Sequence, residues 1–304
     1  MPYVDPVREG PAAKRIGQDP EEGSSRTGPE FSGELRMTLP HPARALRGFA
    51  IDFLTSHDND AVAWVMDPGY RLSIGGHLFD GRDADYLPAT AAQLDQFPGL
   101  TVTVHDVILG DAGLAMRFTE HGASIRDGGR VAAWRGVTLF RMEGERLAHG
   151  WAEEDYFARK RQLKSGVPDP VGPPALAAWD QPVLPPDPTT EAIVRAWLPG
   201  IVGDPAVESV LVGGPGFADL LDVDTVEIAH IFTAGDRAAV HILCRGHYAG
   251  GFGDIDRALA GAPVILRMAA MIDVAGGVVS RAQVSGDRLG LHRQLLGLSR
   301  HRRG

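Results

Sequence analysis

At 304 residues the chain exceeds what one hydrophobic core usually organises, and with 44% hydrophobic and 23% charged residues it reads as two folded domains rather than a disordered or fibrous protein. A formal net charge of −9 opposes a polyanion, no apolar stretch approaches the ~20 residues of a membrane span, and the N-terminus is polar where a signal peptide is apolar. Neither nucleic acid nor membrane is therefore expected as a partner, and the cytoplasm is the expected location.

Residues 1–42 are rich in Pro, Gly, Glu, Ser and Arg without helical or strand period, which predicts a disordered N-terminal tail. From Ala43 the pattern changes, and Leu46, Phe49, Ala50, Phe53 and Leu54 make one apolar stripe at helical spacing. Asn59 and Asp60 are placed to cap a short second helix, Ala61 to Met66, which Asp67-Pro68-Gly69 ends before a strand from Tyr70 to Ile74. A helix over 86–97 precedes three long strand-like runs, 100–109, 113–121 and 130–142, and a last strand from Arg146 to Trp151. Helices followed by an antiparallel meander predict an α+β fold, a curved sheet wrapped over helices.

Residues 166–190 hold eight prolines, a density that excludes regular helix and marks an interdomain linker. Beyond it Thr190 is placed to cap a helix bearing Ile193, Val194, Trp197, Leu198 and Ile201, so the plan restarts. An internal repeat supports this: Gly144, Leu147, Asp155, Arg161, Gln162 and Leu163 recur as Gly276, Val279, Asp287, Arg293, Gln294 and Leu295 at one constant offset. The single cysteine, Cys244, excludes an intrachain disulfide and reads as filler of an apolar strand rather than a nucleophile. Lysine is confined to Lys14, Lys160 and Lys164. The Gly213-Gly214-Pro215-Gly216 run lacks the preceding strand and the Lys-Ser/Thr of a phosphate loop.

In the first half, Phe140-Arg141-Met142-Glu143-Gly144-Glu145-Arg146-Leu147, Trp151, Asp155 and Arg161-Gln162-Leu163, and in the second, Gly246-His247-Tyr248, Gly250, Asp287-Arg288-Leu289-Gly290-Leu291 and Gln294-Leu295, carry a family pattern. Both halves resemble SnoaL-like members of the nuclear transport factor 2-like superfamily, which includes polyketide cyclases, ketosteroid isomerases and limonene-type epoxide hydrolases. The resemblance implies two cone-shaped domains, each with N-terminal helices packed on a curved, mostly antiparallel sheet. They would occupy 43–166 and 189–298, separated by the linker 167–188 and followed by a basic tail, 299–304.

It also implies cofactor-independent acid–base chemistry of the isomerase, cyclase or epoxide hydrolase type on an apolar polyketide-, terpenoid- or steroid-like molecule. Against this, the positions where aromatic polyketide cyclases carry an acid–base histidine and aspartate align with Thr138 and Ala152, and with Ala270 and Val284 in the second half. The carboxylate of ketosteroid isomerases aligns with Ser73. A noncatalytic small-molecule-binding or interaction protein with degenerate cone pockets is the alternative. The second domain is expected to cover the open face of the first sheet as an intrachain partner, and a homodimer stays open as a further assembly.

Strand alternation puts Trp134, Gly136, Thr138 and Phe140 on one side, the side the family turns into its cavity. It also groups Leu114, Met116, Phe118 and Glu120 against Arg117, Thr119 and His121, and only one set can face inward. With Glu120 among Met116 and Phe118, desolvation would raise its pKa by as much as ~3 units and suit it to proton transfer near neutrality. The candidate catalytic residues are therefore Glu120, His149, His77 and Asp106, titratable groups on or beside strands. Trp134, Thr138, Phe118, Phe140, Trp151 and Met116 are the candidate substrate wall. Metal-ligand spacings and thiolate clusters are missing from the sequence, so neither metal nor cofactor is expected.

Overall fold

The structure is a computed structural model that describes residues 39–301; the tail assigned to 1–42 lies almost wholly outside the described residues. Helix α1 (His41–Arg47) runs on as a π-helical turn, Gly48–Phe53, and is followed by α2 (Ala61–Val65). The stripe from Leu46 to Leu54 is buried, as its spacing predicts. Next come β1 (Met66–Ile74), β2 (His77–Asp80), a second π-helical turn (Arg82–Tyr86) and α3 (Leu87–Gln96). Strands β3 (Thr101–Leu109), β4 (Leu114–Ser124), β5 (Arg130–Glu143) and β6 (Arg146–Glu154) then lead into α4 (Tyr156–Ser165). The sheet order is β2-β1-β6-β5-β4-β3, antiparallel except where β1 runs parallel to β6.

Three details depart from the sequence reading. Asp67-Pro68-Gly69 sits inside β1 as the irregularity between Met66 and Arg71 instead of ending before it, because the strand resumes pairing with β6 at Arg71. The hairpin strand β2 was not foreseen. The last strand continues past Trp151 to Glu154.

The second half contains α5 (Pro188–Trp197), β7 (Val207–Ser209), α6 (Phe217–Leu220), β8 (Leu221–Ala234), β9 (Arg237–Tyr248), β10 (Pro263–Ala275), β11 (Val278–Gly286) and α7 (Arg288–His301). Asp187, rather than Thr190, caps α5: its carboxylate accepts from the Thr189 amide at 2.8 Å and from the Thr190 hydroxyl at 3.1 Å, with Pro188 in the first turn. Helix α7 extends to His301, through the first residues assigned to the basic tail. The sheet order β7-β11-β10-β9-β8, with β7 parallel to β11, repeats that of the first half without its hairpin strand.

The repeated residues make repeated contacts. Gln162 clamps the backbone of Ala133, accepting from its N–H at 2.9 Å and donating to its carbonyl at 2.7 Å, and Gln294 does the same to Ile265 at 3.0 and 2.8 Å. Asp155 accepts from the Ala158 amide at the start of α4, as Asp287 does from the Gly290 amide at the start of α7. In each half these two residues fix the last helix against the sheet, so each half has helices on one face of a sheet and its own core.

The other faces of the two sheets meet. Ile108, Ala115, Val137 and Leu139 of the first pack on Phe232, Ala234, Ala239, Ala269 and Met271 of the second, the alanines letting the strands approach. The proline-rich segment is no free tether, for it lies along β3: the Ala175 amide donates to the Val104 carbonyl at 2.8 Å and the Leu184 amide to the Leu109 carbonyl at 3.0 Å.

Between the sheets the ring of Trp151 is sandwiched by His149 and His230, each centroid 3.8 Å away, and His241 Nε2 lies 2.9 Å from Glu153 Oε1. Burial brings all three imidazoles down to about 4 from the ordinary 6.5. The unfolded chain thus binds more protons than the folded one between those values, and stability is lost as pH falls through that window. A melting temperature that drops between pH 6.5 and pH 4, with the drop reduced in His230→Phe, is the expected result of thermal scans across that range.

Candidate functional site

Alternation along the strands decides what enters the first cone. On β4, Leu114, Met116 and Phe118 join the helix-side core while Ala115 faces the second sheet, so Glu120 points inward. On β6 the inner residues are Gly150, Ala152 and Glu154, and the outer ones His149, Trp151 and Glu153. A cavity of about 60 Å³ remains between this face and the helices, lined by Phe118, Glu120, Thr138, Phe140, Ala152, Glu154, Tyr156 and, from β1, the second π-helical turn and α3, by Tyr70, Tyr86 and Gln93.

Glu120 is 3% exposed, and its Oε2 accepts from Gln93 Nε2 at 2.8 Å. Burial, reinforced by the negative charge of Glu154, pushes its carboxyl up to about 8. Glu154 Oε2 accepts from Trp134 Nε1 at 3.0 Å. Arg159 reaches in from α4 with its guanidinium carbon 4.4 Å from the Tyr156 ring centre and 5.0 Å from that of Trp134. Burial lowers Arg159 to about 10, while Glu154 and Glu120 oppose that fall. The buried hydroxyls of Tyr70 and Tyr156 have no hydrogen-bond partner among the described residues. Since buried polar groups are nearly always paired, these two are unused hydrogen-bonding capacity at the cavity wall.

Of the four candidate catalytic residues the structure brings only Glu120 to this cavity. His149 lies on the outward face, its Nε2 3.2 Å from Ser73 Oγ. His77 is exposed on β2 against Phe79, ring centres 4.4 Å apart. The irregularity of β3 between Val104 and Asp106 leaves Asp106 facing the second half, where it pairs with Arg237 at 2.7 Å. Among the expected wall residues, Thr138, Phe118 and Phe140 line the cavity. Trp134 is fully buried behind Glu154 and Met116 belongs to the core, while Trp151 is in the stack between the sheets. Gly136 leaves no void: a Cβ there would come within 2.6 Å of Phe118 Cζ and 2.8 Å of Glu154 Cγ, so its bareness houses those groups.

Sequence reasoning missed Glu154, Tyr70, Tyr86, Gln93 and Tyr156. For Glu154 the signal was present, since the alternation carried two residues past Ala152 reaches it. Among the described residues no group of three or more His, Cys, Asp or Glu side chains is arranged to hold a metal.

Residues 47–150 match the sequence model of the SnoaL-like domain. The first half therefore contains one SnoaL-like domain, and the matched span includes Tyr70, Gln93, Glu120 and Thr138, with Glu154 and Tyr156 just beyond its end. Similar solved structures include a candidate SnoaL-like polyketide cyclase from Jannaschia sp. CCS1, 18% identical over 42% of this chain and 94% of its own, with a TM-score of 0.38. Others are IdmH, a candidate polyketide cyclase from Streptomyces antibioticus (17% identical, 40% and 98% covered, TM-score 0.35) and TsrD from Streptomyces laurentii (18%, 40% and 94%, TM-score 0.37). No curated protein matches the chain.

Proposed function

We propose that the SnoaL-like cone performs cofactor-independent acid–base chemistry on an apolar small molecule, as an isomerase, cyclase or epoxide-opening enzyme. The observation that carries this is Glu120, a buried carboxyl at the cavity that is held near 8 and so keeps its proton at neutral pH. The roles follow from the surroundings: Glu120 is the donor, and Glu154, held by the Trp134 Nε1 hydrogen bond beside the Arg159 guanidinium, is the acceptor. In this reading Glu120 gives its proton to a carbonyl or epoxide oxygen while Glu154 takes one from carbon or from water; as product leaves, Glu154 loses its proton to solvent and Glu120 regains one from it. The Tyr70 and Tyr156 hydroxyls hold the substrate oxygen, with Phe118 and Phe140 as its apolar wall.

The cavity of about 60 Å³ holds a few waters, far below the ~300–1,000 Å³ of ordinary ligand sites. A larger substrate therefore requires the wall to move, and the two π-helical turns, which carry Phe49 and Tyr86 to the cavity, are the irregular parts of that wall. The same small volume favours the second reading, a noncatalytic ligand-binding or interaction protein.

A panel of enones, epoxides and polyketide-like phenols separates the two. With a turned-over substrate, kcat/KM is expected to fall as pH rises through about 8, because the donor loses its proton. A rate flat through that region removes Glu120 as donor, and saturable binding without turnover supports the noncatalytic reading.

We also infer that the second half is a second copy of the same domain, divided from the first at the proline-rich segment 167–188. The repeated strand order and the repeated glutamine clamp support this, and its role here is to cover the first sheet rather than to catalyse.

A further inference from the structure

We propose that the cleft between α4 and α7 is a second ligand site, built for a small organic anion with an apolar body. The cleft measures about 480 Å³ and is lined by Phe157, Lys160, Arg161 and Lys164 of α4 and by Leu289 and His292 of α7, with Asp254 at its edge. It is separate from the Glu120 cavity, whose wall shares none of these residues.

Charge points to the ligand's sign. In a chain of net charge −9 that has lysine only at positions 14, 160 and 164, both described lysines line this one cleft. Lys160 and Lys164 are four residues apart on one helix, so they share a face, where like charges repel until an anion sits between them. Arg161 adds a third cation, already ion-paired with Asp169. The carboxylate in the cleft, Asp254, is engaged by His292 Nε2 at 3.0 Å.

The floor sets the ligand's body. Phe157 and His292, ring centres 5.8 Å apart, line it, Phe252 packs against both at 5.2 and 5.0 Å, and Leu289 extends the apolar surface. His292 is 5% exposed, and its Nδ1 has no hydrogen-bond partner among the described residues. Nδ1 is thus a buried ring nitrogen open to a hydrogen bond with a polar group of the ligand. Two exposed ammonium groups at the rim, an apolar floor and one unpaired buried ring nitrogen suit an aromatic or aliphatic carboxylate or phosphate monoester.

The full chain is titrated with 2-naphthoate, 2-naphthyl phosphate, neutral 2-naphthol and inorganic phosphate, with binding read by calorimetry at two salt concentrations. The two naphthyl anions are expected to bind, more weakly at high salt, and 2-naphthol and phosphate alone to bind at least about tenfold less well. The exposed pair K160Q/K164Q is expected to weaken the anions by about tenfold per lysine without a change in melting temperature, and K160R/K164R to restore them. Glu120→Gln, in the other cavity, is expected to leave this binding unchanged. Equal binding of 2-naphthol, indifference to K160Q/K164Q, loss of binding in Glu120→Gln, or no binding of either anion at millimolar concentration overturns the proposal.

Discussion

Glu120→Gln is expected to lower turnover by about 10²- to 10⁴-fold, the usual share of a positioned proton donor, while the protein keeps its melting temperature. The amide is isosteric and still reaches Gln93, but it has no proton to release at any pH near neutrality. In a cavity of about 60 Å³ few waters can stand in for the lost donor, because a developing charge there is stabilised mainly by groups already in place. The residual activity is expected to lack the fall above pH about 8 that is expected of wild type. His149→Asn, His77→Asn and Asp106→Asn serve as controls, and each should leave turnover within a few-fold of wild type because none of the three lines the cavity. A Glu120→Gln enzyme of unchanged rate would move the chemistry away from this carboxyl.

Arg288→Met is expected to cost about 3–5 kcal/mol of stability, the range for stranding one member of a buried ion pair. Arg288 and Asp155 are each 1% exposed and meet through two hydrogen bonds, Nε to Oδ1 and Nη2 to Oδ2. Arg288 also donates to the carbonyls of Val212, Gly213 and Pro215, so its guanidinium is well used. Burial raises the Asp155 carboxyl and the Arg288 charge opposes that rise, so removing Arg288 leaves an uncompensated anion between the halves. Adding Asp155→Asn should recover much of the loss, since the side chain can still cap α4 but no longer has a charge to strand. Urea unfolding of the two single variants and the double variant measures the coupling directly.

The fold was legible because its signals are periodic. The stripe from Leu46 to Leu54, the inward set on β5 and the constant offset of the repeat are each carried by several residues at once. The site was legible only in part, and for identifiable reasons. Glu120 followed from alternation, since a carboxylate sharing a face with Met116 and Phe118 must be buried with them. Nothing in the sequence anchors alternation along β6 to a known inner residue, and a shift of one position turns His149, Trp151 and every other side chain of the strand to the opposite face. Glu154 escapes a reading that ends the strand at Trp151, three residues before its actual end. Tyr70 and Gln93 come from a strand and a helix apart in sequence, and nothing local announces that they converge on one cavity.

The Asp155–Arg288 pair has a further consequence. The residue one repeat after Asp155 is Asp287, and the residue one repeat before Arg288 is Tyr156, so the mirror-image contact does not exist. Two identical chains meeting about a twofold axis would have to make every contact twice, each patch complementary to itself. Joined in one chain, the halves escape that rule, and a cation on one side can answer an anion on the other without a return contact. Their association is also independent of dilution, because the covalent joint sets the local concentration of one half around the other. One half can thereby change its own residues while still holding its neighbour's sheet in place.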